Sequence, residues 1–296
     1  MLREALICSL VVGGGLALTA QDDATRSITP ARFLKARPAA TTATKAKART
    51  PAVPTYRRAG GPATAVNDAD TMDLGVTIWR LRAARRADVA RLLVQDREAT
   101  TEWTPERIAV GTPLALGDRV RLSVESPRTG YLYVIDREQY ADGSEGEPHL
   151  IFPTKRTLGG DNRVTSGRLV EIPAQDDRPP FFTMRPSRAD QTGERLTIVV
   201  TGQPVKEIEI GEDAAPMSRA LAADLESRGA GSVERLELVG GEGRAWSREE
   251  QRAGADATRL LRQDDPPPQT LFRIAVKQPD LIAVNLVLAH GKRRSP

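Results

Sequence analysis

Apolar and polar positions alternate strictly over Arg119–Glu125. Val120, Leu122 and Val124 fall on one side; Arg121, Ser123 and Glu125 fall on the other. A period of two predicts a half-buried strand. Ser126-Pro127-Arg128-Thr129-Gly130 follows with turn chemistry. Tyr131–Asp136 is then apolar on both faces, with Leu132 and Val134 on one and Tyr131, Tyr133 and Ile135 on the other. That pattern predicts an interior strand of a sheet covered on both sides. The two runs together predict an antiparallel hairpin with a longer loop.

Leu196, Ile198 and Val200 alternate in the same way. So do Phe272, Ile274 and Val276, which Gln278-Pro279-Asp280 separates from Ile282, Val284, Leu286 and Leu288. The last two runs predict a C-terminal hairpin. Shorter strands are expected at 75–81, 149–152, 168–172, 181–184 and 233–238. Helix signals are fewer. Ser247 with Glu250 three residues on makes a capping box opening a helix toward Leu261. Ser218–Arg228 predicts a second helix that stops at Gly229. Ala84–Val94 fits either period, because Val89, Leu92 and Leu93 would share one helical face. Many short strands joined by Pro/Gly-rich segments predict a mainly β fold, an Ig-like antiparallel β-sandwich. One or two short helices would be inserted at about 214–262, before the C-terminal hairpin.

The first 73 residues follow another rule. Residues 5–20 are apolar or small and end at Leu18-Thr19-Ala20, before the polar Gln21-Asp22-Asp23. This is the plan of a secretory signal over 1–20, shorter than the roughly 20 apolar residues of a spanning helix. An uncleaved anchor in the inner membrane is the alternative. The expected location is exported, periplasmic or secreted. Cleavage would remove Cys8, the single cysteine, and with it any disulfide. Residues 24–66 hold nine Lys/Arg and no Asp or Glu, among Ala, Thr, Pro and Gly. Such a stretch buries too little apolar area to order itself, so 21–73 reads as a disordered basic linker. The domain proper is then 74–296. The basic stretch is either a spacer or an arm for polyanions such as anionic lipid or wall polymer.

The central segment resembles the bacterial domain-of-unknown-function family 4384. The resemblance rests on Leu116-Gly117-Asp118-Arg119-Val120-Arg121-Leu122 and Gly130-Tyr131-Leu132-Tyr133-Val134-Ile135-Asp136. It continues through Leu150-Ile151-Phe152-Pro153-Thr154, Asn162-Arg163-Val164 and Glu171-Ile172-Pro173, and ends at Gly193–Val200. It covers about residues 112–204. It implies a small β-sandwich module of exported or multidomain bacterial proteins, sometimes joined to peptidase-like or kinase-like partners. It implies no catalytic residue.

With two histidines and one cysteine, thiol catalysis and most zinc or iron–sulfur sites are excluded. Asp136, Glu138, Asp142, Glu145 and Glu147 with Gly143 and Gly146 have the oxygen-rich character that calcium takes, without EF-hand spacing. The ordinary reading is a solvated loop, and no cofactor is expected. Gly240-Gly241-Glu242-Gly243-Arg244 lacks both the dinucleotide and the P-loop patterns. No Gly-x-Ser-x-Gly elbow accompanies His149 or His290. The residue types favoured at recognition surfaces put Arg137, Tyr140, Asp161, Asn162 and Arg163 forward as a candidate surface.

The expected function is therefore non-catalytic recognition of an envelope protein or an anionic surface polymer, without specific nucleic-acid binding. A second expectation is a partner or regulator of a peptidase- or kinase-type enzyme, or a hydrolase built around His149. A third is polyanion binding through 24–66. No transmembrane span is expected after signal cleavage.

Overall fold

The computed structural model describes residues 27–28, 31–39, 54–60, 71–95, 100–229, 231–256, 258–278 and 280–291. The expected signal segment and most of the expected linker lie outside them.

The chain is mainly β, with antiparallel sheets and short helices. Ten strands make the first sheet. They are β1 (Ser27–Ile28), β2 (Tyr56–Ala59), β3 (Thr71–Ala83), β4 (Leu92–Gln95), β5 (Thr100–Ile108), β6 (Arg119–Glu125), β10 (Leu169–Ile172), β11 (Phe182–Thr183), β14 (Val233–Leu238) and β15 (Thr270–Ala275). The second sheet holds β7 (Gly130–Tyr140), β8 (His149–Phe152), β9 (Arg163–Val164), β12 (Gln191–Thr201), β13 (Ala215–Pro216) and β16 (Leu281–Ala289). The helices are α1 (Ala31–Lys35), α2 (Arg219–Gly229) and α3 (Arg248–Ala255).

Strand β3 is the spine of the first sheet. On one edge it pairs with β15 along 71–76 and then β5 along 78–83; on the other it pairs with β6 along 75–81. Strand β12 plays the same part in the second sheet, between β7 and β16. The alternating apolar residues of both spines and their neighbours meet between the sheets. Leu74, Val76 and Ile78 face Leu132, Val134, Ile198 and Val200 in one continuous buried core with Val120, Leu122, Val124 and Phe272. A second cluster lies outside the second sheet, where Ala222 and Leu225 of α2 cover Tyr133, Ile135 and Val199. Both faces of β7 are thus buried, as its doubly apolar pattern predicts.

Two expectations need correction. Strands β6 and β7 do not form a hairpin: they belong to different sheets, and Ser126–Thr129 carries the chain across the sandwich. Strands β15 and β16 likewise pair in different sheets. A period of two says which face is buried; it does not say which neighbour a strand takes. The strand expected at 233–238 is β14, which lies between the helices of the insertion and pairs with β15 and β2. Of the two readings left open for 84–94, no helical face forms: residues 84–91 are turns and irregular chain before β4, with Val89 and Leu93 exposed and Leu92 buried.

The linker expectation fails where the structure describes that stretch. Residues 56–59 are strand β2, paired with β14. Phe33, Arg37 and Tyr56 are all buried. Strand β3 begins at Thr71, within the segment assigned to the linker.

Leu132 is fully buried at the centre of the sandwich. Leu132→Ala is expected to lower unfolding stability by about 2–5 kcal/mol, the usual cost of an unfilled buried leucine site. Urea unfolding followed by fluorescence measures it; a loss under about 1 kcal/mol would contradict this packing.

Candidate functional site

The outer face of the first sheet is where the chain departs from an ordinary sandwich. Arg121, Ser123 and Glu125 alternate with the core residues of β6 and point outward, yet all three are buried. Beside them on β3 and β5 stand Thr77, Trp79 and Arg107, also buried. Three segments remote in sequence cover this polar face: residues 31–39, which we call the arm; helix α3 with Trp246; and the loop through Pro266-Pro267-Pro268.

Three guanidinium–carboxylate pairs fill the layer. Arg37 reaches Glu125 through Nε at 2.8 Å and Nη2 at 2.6 Å. Arg121 Nη2 donates to Glu171 at 2.8 Å and to the Pro173 carbonyl at 2.8 Å. Arg107 Nε donates to Glu250 at 2.8 Å, and its Nη2 reaches the Pro267 carbonyl at 2.7 Å. Burial pulls the Arg121 guanidinium down and pushes the Glu171 carboxyl up; each is the other's main counter-charge. The cations also stack on indoles. Arg107 lies 5.3 Å from the Trp79 centroid, Arg121 lies 5.5 Å from that of Trp246, and the two indoles are 6.2 Å apart. Among the described residues, Arg121 Nε and Nη1 and Arg107 Nη1 have no hydrogen-bond acceptor; the indole faces supply the favourable contact for these cations.

The capping box supplies one of these pairs. Ser247 Oγ accepts the Glu250 N–H, and Glu250 Oε2 accepts the Ser247 N–H. The other oxygen of Glu250 holds Arg107. One carboxylate therefore starts α3 and ties it to β5. Gly254, further along α3, rests on Glu171: a Cβ there would stand 2.0 Å from the Glu171 carboxyl carbon. Any larger residue there would have to displace the Glu171 carboxylate and so disturb its pair with Arg121.

Beside the arm this face opens into a groove of about 810 Å³. Its floor carries Arg107 and Glu250, and its rim carries Val239, Arg244, Asp264 and Pro266. Val239 is 53% exposed, an apolar side chain held at the mouth. Arg244 and Asp264 are exposed charges of opposite sign. The groove offers apolar contact, one charge of each sign and main-chain groups, which suits a polypeptide segment better than a polymer of uniform charge.

The surface expected from sequence does not assemble. Tyr131 pairs with Arg163 at one end of β7, and Tyr140 is at the other. Nine strand steps separate the groups by roughly 30 Å. Asn162 is buried and donates to the Leu132 carbonyl at 3.1 Å, a structural bond. Asp161 and Arg163 pair with each other in solvent. Arg137 lies among Glu145, Glu226 and the neighbouring Arg195 pairs. Tyr140 donates to Glu138 and carries Arg188 on its ring at 3.9 Å. The acidic loop is likewise dispersed: Asp142 turns to Ser144, Glu145 to Arg195 and Glu147 to Arg219. Among the described residues, no group of three or more His, Cys, Asp or Glu is placed to hold a metal ion. His149 Nδ1 lies 3.0 Å from the Glu147 carbonyl oxygen, a main-chain contact.

Sequence reading missed the layer beneath α3. Its one legible sign was Glu250 in the capping box, which says nothing of Arg107. It also missed the carboxyl end of the core. There Asp136 and Glu194 continue the inner faces of β7 and β12, with Glu138 and His290 close by. Burial and the neighbouring carboxylates push Glu194 up to about 8 and Asp136 up to about 6. His290 is pulled down by burial, and its Nε2 is 3.8 Å from Glu194.

No family model matches the chain, and no curated protein or solved structure gives a significant match.

Arg121→Met leaves Glu171 buried without its cation, and about 3–5 kcal/mol of stability is expected to be lost. Pairing it with Glu171→Leu is expected to restore most of that, because the uncompensated charge goes too. Urea unfolding of the two variants decides: equal losses would mean that the pair matters only as packing. The pH profile offers a second test. A carboxyl raised in the folded state keeps a proton that the unfolded chain releases, so stability falls as pH rises from about 4 toward the folded value near 8. Glu194→Gln is expected to flatten that decline and to be the more stable protein at pH 9. Unchanged slopes in thermal melts would rule this out.

Proposed function

We propose that this chain is an exported, non-catalytic β-sandwich module that recognises an envelope protein, taking a segment of it in the groove beside α3. The groove carries the reading: its floor of Arg107 and Glu250 is fixed by the capping box and the Pro267 carbonyl, while Val239 and Arg244 stand free at its mouth. A rigid floor with adaptable rim residues lowers the ordering cost of binding. The resemblance of 112–204 to family 4384 agrees with such a module, as does the leader-like 1–20 segment.

The polyanion reading has less support. Of the nine basic residues at 24–66, Arg37 and Arg58 are already paired, with Glu125 and Glu234. A hydrolase around His149 draws no support from its contact with a main-chain oxygen. Among the described residues, no helix is long and apolar enough to cross a membrane.

One observation favours strand addition as a second mode. Strand β16 ends the second sheet and carries no charge and no proline over Leu281–Ala289. The His290 N–H bonds the Thr192 carbonyl, so alternation turns the main-chain groups of Ala283, Asn285 and Val287 away from β12. Leu114 bonds Ala289 and Gly291 at one end of that edge and Gly229 packs on Ala283 at the other; among the described residues, no strand pairs with the stretch between them. A partner strand there would gain main-chain hydrogen bonds.

The groove test uses full-length protein on a support, exposed to solubilised envelope proteins. Val239→Asp and Arg244→Glu alter exposed side chains, so melting temperature should hold, while recovery of the retained partner is expected to fall by about tenfold. Undiminished retention by both variants would sink the groove. Loss of retention on Asn285→Pro alone would move the site to the β16 edge.

A further inference from the structure

The arm sits in the outer face of the first sheet as a bound peptide would. Its anchor is Arg37, 3% exposed. Nε and Nη2 fork onto Glu125; Nη1 reaches the carbonyls of Asp265 at 3.0 Å and Arg262 at 3.3 Å; Nη2 also reaches the Pro266 carbonyl at 3.4 Å. These five bonds match the five N–H donors of a guanidinium. The slot around it presents acceptors throughout, so it selects a cation. Its fork and flanking carbonyls fit a planar guanidinium and not an ammonium, which has three donors and no fork.

A second side chain fixes the register. Phe33, four residues earlier, is buried against Gly75, where a Cβ would stand 3.0 Å from the ring tip, and lies 5.7 Å from the Arg37 guanidinium. Gln263 reads the backbone: its N–H donates to the Pro38 carbonyl and its side-chain amide to the Arg37 carbonyl. Backbone contacts of that kind are open to any sequence; the Phe and Arg pockets are not.

The arm also divides the space on this face. Leu34 walls the 810 Å³ groove. Phe33 and Arg37 wall a second hollow of about 260 Å³ on the other side. Arg37 roofs a third, about 30 Å³, that reaches Gly75 and Glu125. Lifting the arm joins the three into one trench with Glu125 at its base.

We propose that this trench is a recognition site for a partner-protein segment that carries an arginine with an aromatic residue four positions before it, and that the arm holds the site in cis. This deepens the recognition reading and rests on it, naming the chemistry of the segment. The arm belongs to the same chain as the slot, so it competes as a covalently attached ligand. A free segment therefore enters only when it outcompetes the arm or when the arm is weakened.

The probe is a fluorescein-labelled peptide with the sequence of residues 29–40, titrated into full-length protein and read by anisotropy. The Arg37→Ala chain, whose slot lacks its anchor, is expected to bind the peptide at least about tenfold more tightly than the wild-type chain. It should also gain melting temperature on binding. The same peptide carrying Arg37→Lys is expected to lose at least about tenfold, and the Arg37→Ala/Glu125→Gln chain to lose binding altogether. Should Arg37→Ala fail to fold, the Arg37→Lys chain keeps a cation over Glu125 and is read the same way. Equal binding by wild-type and weakened chains, or no binding by either, overturns the trench. Indifference to the lysine peptide overturns the arginine assignment. If the peptide fails while Val239→Asp still abolishes partner retention, the trench falls and the groove reading stands.

Discussion

Three buried ion pairs hold the architecture on which everything else rests. Arg37–Glu125, Arg107–Glu250 and Arg121–Glu171 lie side by side on one face of the first sheet, with almost no access to water. Each charge is costly to desolvate and tolerable only with its counter-charge present. The layer is neutral as a set. Removing a covering segment therefore strands a charge: the arm's departure leaves Glu125 without its cation, and that of α3 leaves Arg107 without its carboxylate. Apolar burial would have held these segments with less demand on geometry. What the ion pairs add is a single admissible arrangement, since a guanidinium fork on a carboxylate tolerates little sliding.

The two outer faces of the sandwich solve the same problem by different chemistry. On the second sheet, α2 lays Ala222 and Leu225 over Tyr133, Ile135 and Val199. The Tyr133 hydroxyl accepts the Val205 N–H, which fixes the loop ahead of α2. On the first sheet the cover is ionic and aromatic. An apolar cover can re-pack in small steps. A charged one passes between formed and broken, and that is the character of an element that opens.

Much of the fold was legible because the period of two survives wherever one face is apolar. Strands β6, β7, β12, β15 and β16 all show it. Strand β5 does not: Thr100, Thr101, Glu102, Thr104, Pro105 and Glu106 give no alternation, and the strand exists because β3 offers it an edge. The pairing of strands was illegible for a related reason, as alternation fixes a face and leaves the neighbour open. The polar outer face of the first sheet was hidden more deeply. Arg121, Ser123 and Glu125 read as solvent positions because charge is normally outside. Their burial depends on Arg37, Glu171 and Trp246, from 50 to 125 positions away along the chain. Only a three-dimensional neighbourhood turns those polar residues into a core.

The position of the arm in the chain has a consequence for how the protein is made. Arg37 is bonded to carbonyls at 262, 265 and 266, more than two hundred residues downstream. Synthesis runs from the N-terminus, so the arm emerges long before the carbonyls it docks on. Until residues 262–266 have appeared, the slot has no carbonyl wall. The growing chain thus displays the basic, aromatic-bearing arm until the carbonyls that hold it have been made.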